Sequence, residues 1–116
     1  MLCQSNSEDT RLLVDLKTKS GIQQVCSLFD TGASITLIQP YLEPDTDKLV
    51  GYIDLKGYQA NSPTIQAPVY NVEISLDGVT WKTIQAAITS NMAEPMILSP
   101  QNVPNTSFLV TSTDQD

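Results

Sequence analysis

The chain has 116 residues, enough for one domain with its own core, and its 41% apolar and 16% charged residues suit a globular protein. Having no histidine, it is excluded from Ser-His and Cys-His nucleophilic mechanisms and from His-containing zinc sites, and two cysteines are too few for a Cys-only zinc site. A net charge of −7, with six Lys plus Arg spread along the chain, argues against a nucleic-acid partner.

In chain order, residues 1–10 are polar and read as a flexible leader without the basic and apolar regions of a signal peptide. No apolar run approaches the roughly 18 residues of a membrane span, so a soluble, unexported domain is expected, with no membrane partner. Leu12, Val14 and Leu16 alternate with Leu13, Asp15 and Lys17 as a half-buried strand. Ser20-Gly21 turns it, Ile22 to Phe29 returns, and a short strand from Ile35 to Ile38 ends at Pro40. Cys26 is expected to be a buried thiol and Cys3 a free terminal one, in preference to a disulfide. Leu42 to Lys48 reads as a solvated loop; Glu43, Asp45 and Asp47 lack the spacing and glycine of a cation site.

Leu49 to Lys56 is the next strand, and the turn-rich Gly57-Tyr58-Gln59-Ala60-Asn61-Ser62-Pro63 forms a hairpin tip. Tyr70, Val72, Ile74 and Leu76 alternate clearly, and Asp77-Gly78 signals a two-residue hairpin into Val79 to Ile88. There the apolar positions change from odd to even near Lys82-Thr83, which suggests a bulge, and Trp81 reads as packing. Met96-Ile97-Leu98 is a short apolar strand. Ser99-Pro100 resembles a helix N-cap and first position, with Pro104 limiting the helix to about one turn. Phe108 to Thr111 reads as a last strand and residues 113–116 as a flexible tail; Asn105-Thr106-Ser107 is a glycosylation sequon that an unexported chain never uses.

The stretch Phe29-Asp30-Thr31-Gly32-Ala33-Ser34 carries the chemistry, because it sets a carboxylate in a glycine-containing turn between two apolar strands. Peptide hydrolysis without histidine or metal needs one carboxylate to take a proton from water and another to donate one to the carbonyl. Two carboxyls about 3 Å apart cannot both ionise easily, so such a pair shares a proton, as it does in aspartic proteases. The chain holds this turn once, so two chains are required.

With Arg11 to Gly21, Val25 to Ala33, Val69 to Ile88 and Met96-Ile97-Leu98-Ser99 in order, residues 11–112 resemble a retroviral-type aspartic protease, a retropepsin. Ile97 to Pro104 and Val69-Tyr70-Asn71-Val72 are most similar to the foamy-virus branch, near endogenous retroelement proteases. The resemblance implies an all-β closed barrel, the acid protease fold, with a β-hairpin flap and at most one short C-terminal helix. It implies a homodimer with Asp30 catalytic in each chain, supported in the turn by Thr31, Gly32 and Ala33. Gly57, Tyr58, Gln59, Ala60 and Asn61 fall in the flap that would bind an extended polypeptide. Ile97 either lines a substrate pocket or belongs to the core. No cofactor and no metal are implied. Substrates would be viral or retroelement polyproteins, met in the host cytoplasm or in a virus-like particle.

The chain departs from the family where Ser34 replaces the usual acidic residue and Pro100 its Arg partner, so that ion pair is lost as a unit. Ser99 ends the apolar-apolar-Gly motif, and the flap segment has the single glycine Gly57. A non-catalytic retropepsin-fold module for dimerisation or peptide binding, and an unrelated β-barrel with Asp30 capping a turn, remain alternatives.

Overall fold

Alternating apolar side chains place seven strands: β1 (Thr10–Thr18), β2 (Gly21–Phe29), β3 (Thr36–Ile38), β4 (Leu49–Lys56), β5 (Thr64–Ser75), β6 (Trp81–Ile88) and β7 (Met96–Leu98). The computed structural model describes residues 10–46, 48–56 and 64–102. β1 turns Leu12, Val14 and Leu16 inward and pairs antiparallel with β2 from Thr10↔Phe29 to Thr18↔Gly21. Gly21 takes a φ of 126° after the Lys19-Ser20 turn, a backbone region that a side chain would strain.

The sheet runs β1-β2-β7-β3-β6-β5 and closes where β5 returns to β1 at Asp15↔Ser75 and Leu16↔Ile74. A closed barrel of six strands results, leaving no edge within the ring. Two of its joints are parallel, β2 with β7 and β3 with β6, and the short β7 is inserted between β2 and β3. β4 stands outside the ring, paired antiparallel to the first half of β5. These two strands are the arms of the hairpin expected as a flap; its tip, Gly57 to Asn61 included, lies outside the described residues.

Leu16, Ile38, Ile74, Met96 and Leu98 are fully enclosed in the barrel core with Leu12, Val14, Val72 and Ala86. Each such Leu, Ile, Val or Met side chain contributes roughly 1.5–3 kcal/mol by leaving water. A smaller cluster lies beneath the β4–β5 hairpin, where Ala67, Val69 and Ala87 meet the half-buried Ile35, Leu37, Ile53 and Leu55. β6 therefore packs on both sides, which is why Ala86 and Ala87 are both buried.

Several local expectations change. β6 pairs with β5 in unbroken register from Val69↔Ala87 to Ser75↔Trp81, so Lys82-Thr83 is no bulge. Val79 precedes the strand, 82% exposed in a five-residue connection in place of the expected two-residue turn, and Trp81 is half-buried on the strand face opposite Ile84 and Ala86. The register shift falls instead on β4, between Leu49 and Gly51. The Leu42–Lys48 loop is partly anchored, with Leu42 and Pro44 buried and the Asp45 N–H bonded to the Lys17 carbonyl at 2.9 Å. β2 turns Val25 and Ser27 inward, leaving Cys26 half-exposed on the other face. Contrary to the expected buried thiol, Cys26 is disulfide-bonded. Residues 1–9, Asp47 and 103–116, with the expected last strand and the sequon, lie outside the described residues.

Candidate active site

Asp30 is the first residue past β2, and its place follows from the parallel pairing of β2 with β7. Phe29 stands opposite Leu98, and the Asp30 N–H continues the ladder with one more bond, to the Leu98 carbonyl at 3.1 Å. The chain then turns back on itself. The Ala33 N–H donates to the Asp30 carbonyl at 3.0 Å, and the Gly32 N–H to Asp30 Oδ1 at 2.9 Å. Asp30, Thr31 and Gly32 are all exposed at the tip. A Cβ on Gly32 would meet Asp30 Oδ1 at 3.4 Å, an ordinary contact. Within one chain, then, space alone does not demand a glycine here.

Beneath the turn, three buried hydroxyls replace water as hydrogen-bond partners. Ser99 is fully enclosed; its hydroxyl donates to the Ala33 carbonyl at 2.9 Å, and its N–H donates to Thr36 Oγ1 at 3.0 Å. The Ser99 hydroxyl also accepts the Gln101 N–H at 3.3 Å, capping the 3-10 turn at Pro100–Asn102 as the Ser-Pro signal implies. Ser27, equally enclosed, donates to the Met96 carbonyl at 3.2 Å. Among the described residues no buried side-chain nitrogen or oxygen lacks a partner. Buried polar groups left unpaired would destabilise the floor of the site, and here they are satisfied.

A cavity of about 240 Å³ opens beside Asp30, walled by Gly32, Ala33 and Ser34 from the turn. Its apolar side comes from Ile35 and Leu37 before and within β3, Ile97 on β7 and Leu55 on β4, with Asn91 adding a polar group. Ile97 is 3% exposed yet lies between the inward Met96 and Leu98, on the opposite face of β7, and so borders the cavity. Among the described residues, Asp30 is the one ionisable side chain in this wall. Leu55 and Asn91 had no signal of their own in the sequence. Leu55 needs the β4–β5 register to be placed, and Asn91 needs the path of the β6–β7 connection. Of the residues singled out beforehand, Asp30, Gly32, Ala33 and Ile97 meet at this cavity and Thr31 sits at the turn tip.

The β6–β7 connection is tied down from below. Gln39 Nε2 donates to the Met92 carbonyl at 2.7 Å and to the Glu94 carbonyl at 3.2 Å. Arg11 Nη2 meets Glu94 Oε2 at 2.8 Å, with both side chains mostly buried. This ion pair joins β1 to the segment carrying Asn91, in a chain lacking the acid and Arg usual at Ser34 and Pro100.

The other aspartate in a glycine turn, Asp77, is engaged quite differently. Its Oδ1 accepts the Thr80 N–H at 2.7 Å, the Val79 N–H at 2.8 Å and the Ser75 hydroxyl at 3.0 Å. The backbone bonds from Thr80 and Val79, then that from Ser75, lower its pKa from 3.8 to about 2.

No family profile and no curated protein sequence matches the chain. Among solved structures, it is similar to a retropepsin-like aspartic protease from Rickettsia conorii, with 13% identity and a TM-score of 0.55 over 84% of this chain and 72% of that one. A Legionella pneumophila protein of unknown function also matches, with 14% identity and a TM-score of 0.46 over 83% and 87% of the two chains. That second likeness is too weak to carry weight. The first, at so low an identity, is a likeness of fold: the chain has the closed all-β barrel of a retropepsin-like protein.

Proposed function

We propose that the protein is an aspartic endopeptidase whose reacting pair is formed by Asp30 of two chains. The observation that carries this reading is the setting of Asp30: an exposed carboxylate on a braced turn, beside a cavity with an apolar side and, among the described residues, no second ionisable group in its wall. A single carboxylate cannot both accept and donate the protons of peptide hydrolysis, whereas a second copy brought turn to turn supplies the missing acid.

In this reaction one Asp30 takes a proton from water as the oxygen attacks the scissile carbonyl. Asp30 of the second copy gives its proton to the carbonyl oxygen, yielding a neutral tetrahedral diol. On collapse the first Asp30 gives its proton to the departing amine while the second takes a proton from a diol hydroxyl as the carbonyl re-forms, which regenerates the shared-proton pair. Symmetry makes the two chains equivalent until substrate binds. The substrate is an extended polypeptide, held along the β4–β5 hairpin by strand-like hydrogen bonds, with an apolar side chain against Ile35, Leu37, Leu55 and Ile97. The finer reading, a foamy-virus-like or retroelement enzyme acting on polyproteins in the host cytoplasm or a virus-like particle, rests on the sequence wording near Val69 and Ile97.

Cleavage of a peptide library at pH 5–6 tests the proposal, repeated with Asp30→Asn and Asp30→Ala. Both variants should be inactive while still folded; cleavage that survives either substitution contradicts it. Peptide binding by wild-type protein with no cleavage would favour the rival reading, a dimerisation or peptide-binding module.

A further inference from the structure

We infer that Ser99 is a positioning residue for Asp30, a hydroxyl strut that holds the aspartate turn at the height needed for reaction; this rests on the aspartyl reading above. Ser99 is fully enclosed, and its three hydrogen bonds reach three separate pieces of backbone or side chain. The hydroxyl pulls on the Ala33 carbonyl from below. Ala33 passes the restraint on, since its N–H is bonded to the Asp30 carbonyl at 3.0 Å. The other end of the turn is held by the preceding residue of β7, through the Leu98 carbonyl and the Asp30 N–H. Two successive residues, Leu98 and Ser99, thus grip the turn at entry and exit. Thr36, buried on the neighbouring strand, fixes Ser99 in turn by accepting its N–H.

A glycine in place of Ser99 would leave the Ala33 carbonyl without this donor, and the exit of the turn would be held by its own Ala33–Asp30 bond alone. Ser99 is fully enclosed, so its effect on the reaction passes through the turn. A displacement of about 1 Å in a reacting group reduces rate on the order of 100-fold with little change in binding.

The test compares wild type, Ser99→Ala, Ser99→Gly and Asp30→Asn for kcat and KM per folded dimer, melting temperature, and hydrogen exchange at the Ala33 and Val14 amides. In Ser99→Ala we expect kcat to fall roughly 10- to 100-fold with KM within about twofold. Ala33 exchange should accelerate while Val14, in the β1–β2 ladder, keeps its rate. Ser99→Gly should repeat the pattern if the Ala variant folds poorly. Unchanged kcat with unchanged Ala33 exchange overturns the inference, and so does a loss that tracks melting temperature with both amides accelerating alike. Activity retained by Asp30→Asn would instead sink the aspartyl reading. The Ala33 exchange rate then still decides whether Ser99 holds the turn.

Discussion

Two aspartates open glycine turns in this chain, and their surroundings are opposite. Asp77 is saturated: one oxygen collects two backbone N–H groups and a serine hydroxyl, all from within six residues of chain. Among the described residues the Asp30 carboxylate accepts one N–H, from Gly32, and it faces the cavity. The backbone reverses the contrast. The Asp77 turn is held by its own atoms, with Gly78 at a φ of 80° completing it through a bond to Ser75. The Asp30 turn is anchored to β7, a strand 66 or more positions away in sequence, as the separation of Ala33 and Ser99 measures. A carboxylate that stabilises its own turn is consumed by structure, while one left open on a rigid mount is available for chemistry.

The sharpest way to break this contrast is to exchange the expected effects. Asp30→Asn should cost at least about 10²–10⁴-fold in cleavage rate with melting temperature nearly unchanged. Asp77→Ala should leave kcat intact and lower stability. A large activity loss in Asp77→Ala at full folding, read by steady-state kinetics, would mean that the two turns are not separable.

Gly32→Ala probes the mount itself. The added Cβ fits a single chain, 3.4 Å from Asp30 Oδ1, so the monomer should fold normally. It stands where a second turn must approach to about 3 Å for the carboxyls to share a proton. Activity should fall on the order of 100-fold, and sedimentation should show a weaker dimer. Wild-type activity in this variant would mean that the turns do not meet.

Asp77 gives a pH signature. Its folded pKa lies below its unfolded value, so its contribution to stability is fully present above pH 4 and is lost as pH falls toward about 2. The stability gap between wild type and Asp77→Ala should therefore be widest near neutral pH and shrink through that window. Urea midpoints at pH 7, 4 and 2 measure it, and a gap that is constant with pH contradicts the carboxylate's role. The smallest effect concerns charge. Each chain carries −7, so association is opposed by like-charge repulsion. Raising ionic strength, which shortens the Debye length from about 10 Å at 0.1 M to about 3 Å at 1 M, should strengthen the dimer several-fold. A dimer fraction independent of salt in sedimentation contradicts this.

The strands and the Asp30 turn were legible because period-two burial is a local signal. β1, β4 and the second half of β5 could be read almost residue by residue, and the isolation of Asp-Thr-Gly between apolar strands pointed to the carboxylate. Connections formed through long-range contact were not legible. Lys82-Thr83 suggests a bulge because exposed Val79 and half-buried Trp81 occupy odd positions, and nothing local tells a loop valine from a strand valine or the outer face of β6 from its core face. Ser99 read as a defect in an apolar-apolar-Gly motif, since its partners Ala33 and Thr36 are more than sixty residues distant. Leu55 and Asn91 reach the cavity only through strand register and loop path. The oxidised state of Cys26 was missed because burial alternation on β2 sets it half-exposed, on the face away from the core.

The most direct measurement mixes unfolded wild-type and Asp30→Asn chains in equal amounts, refolds them together and records peptide cleavage per total protein. If each active centre needs Asp30 from both chains, only one dimer in about four is competent, and activity falls to about a quarter of wild type. Activity of one half, linear in the wild-type fraction, would mean that each chain works alone and would contradict the shared pair.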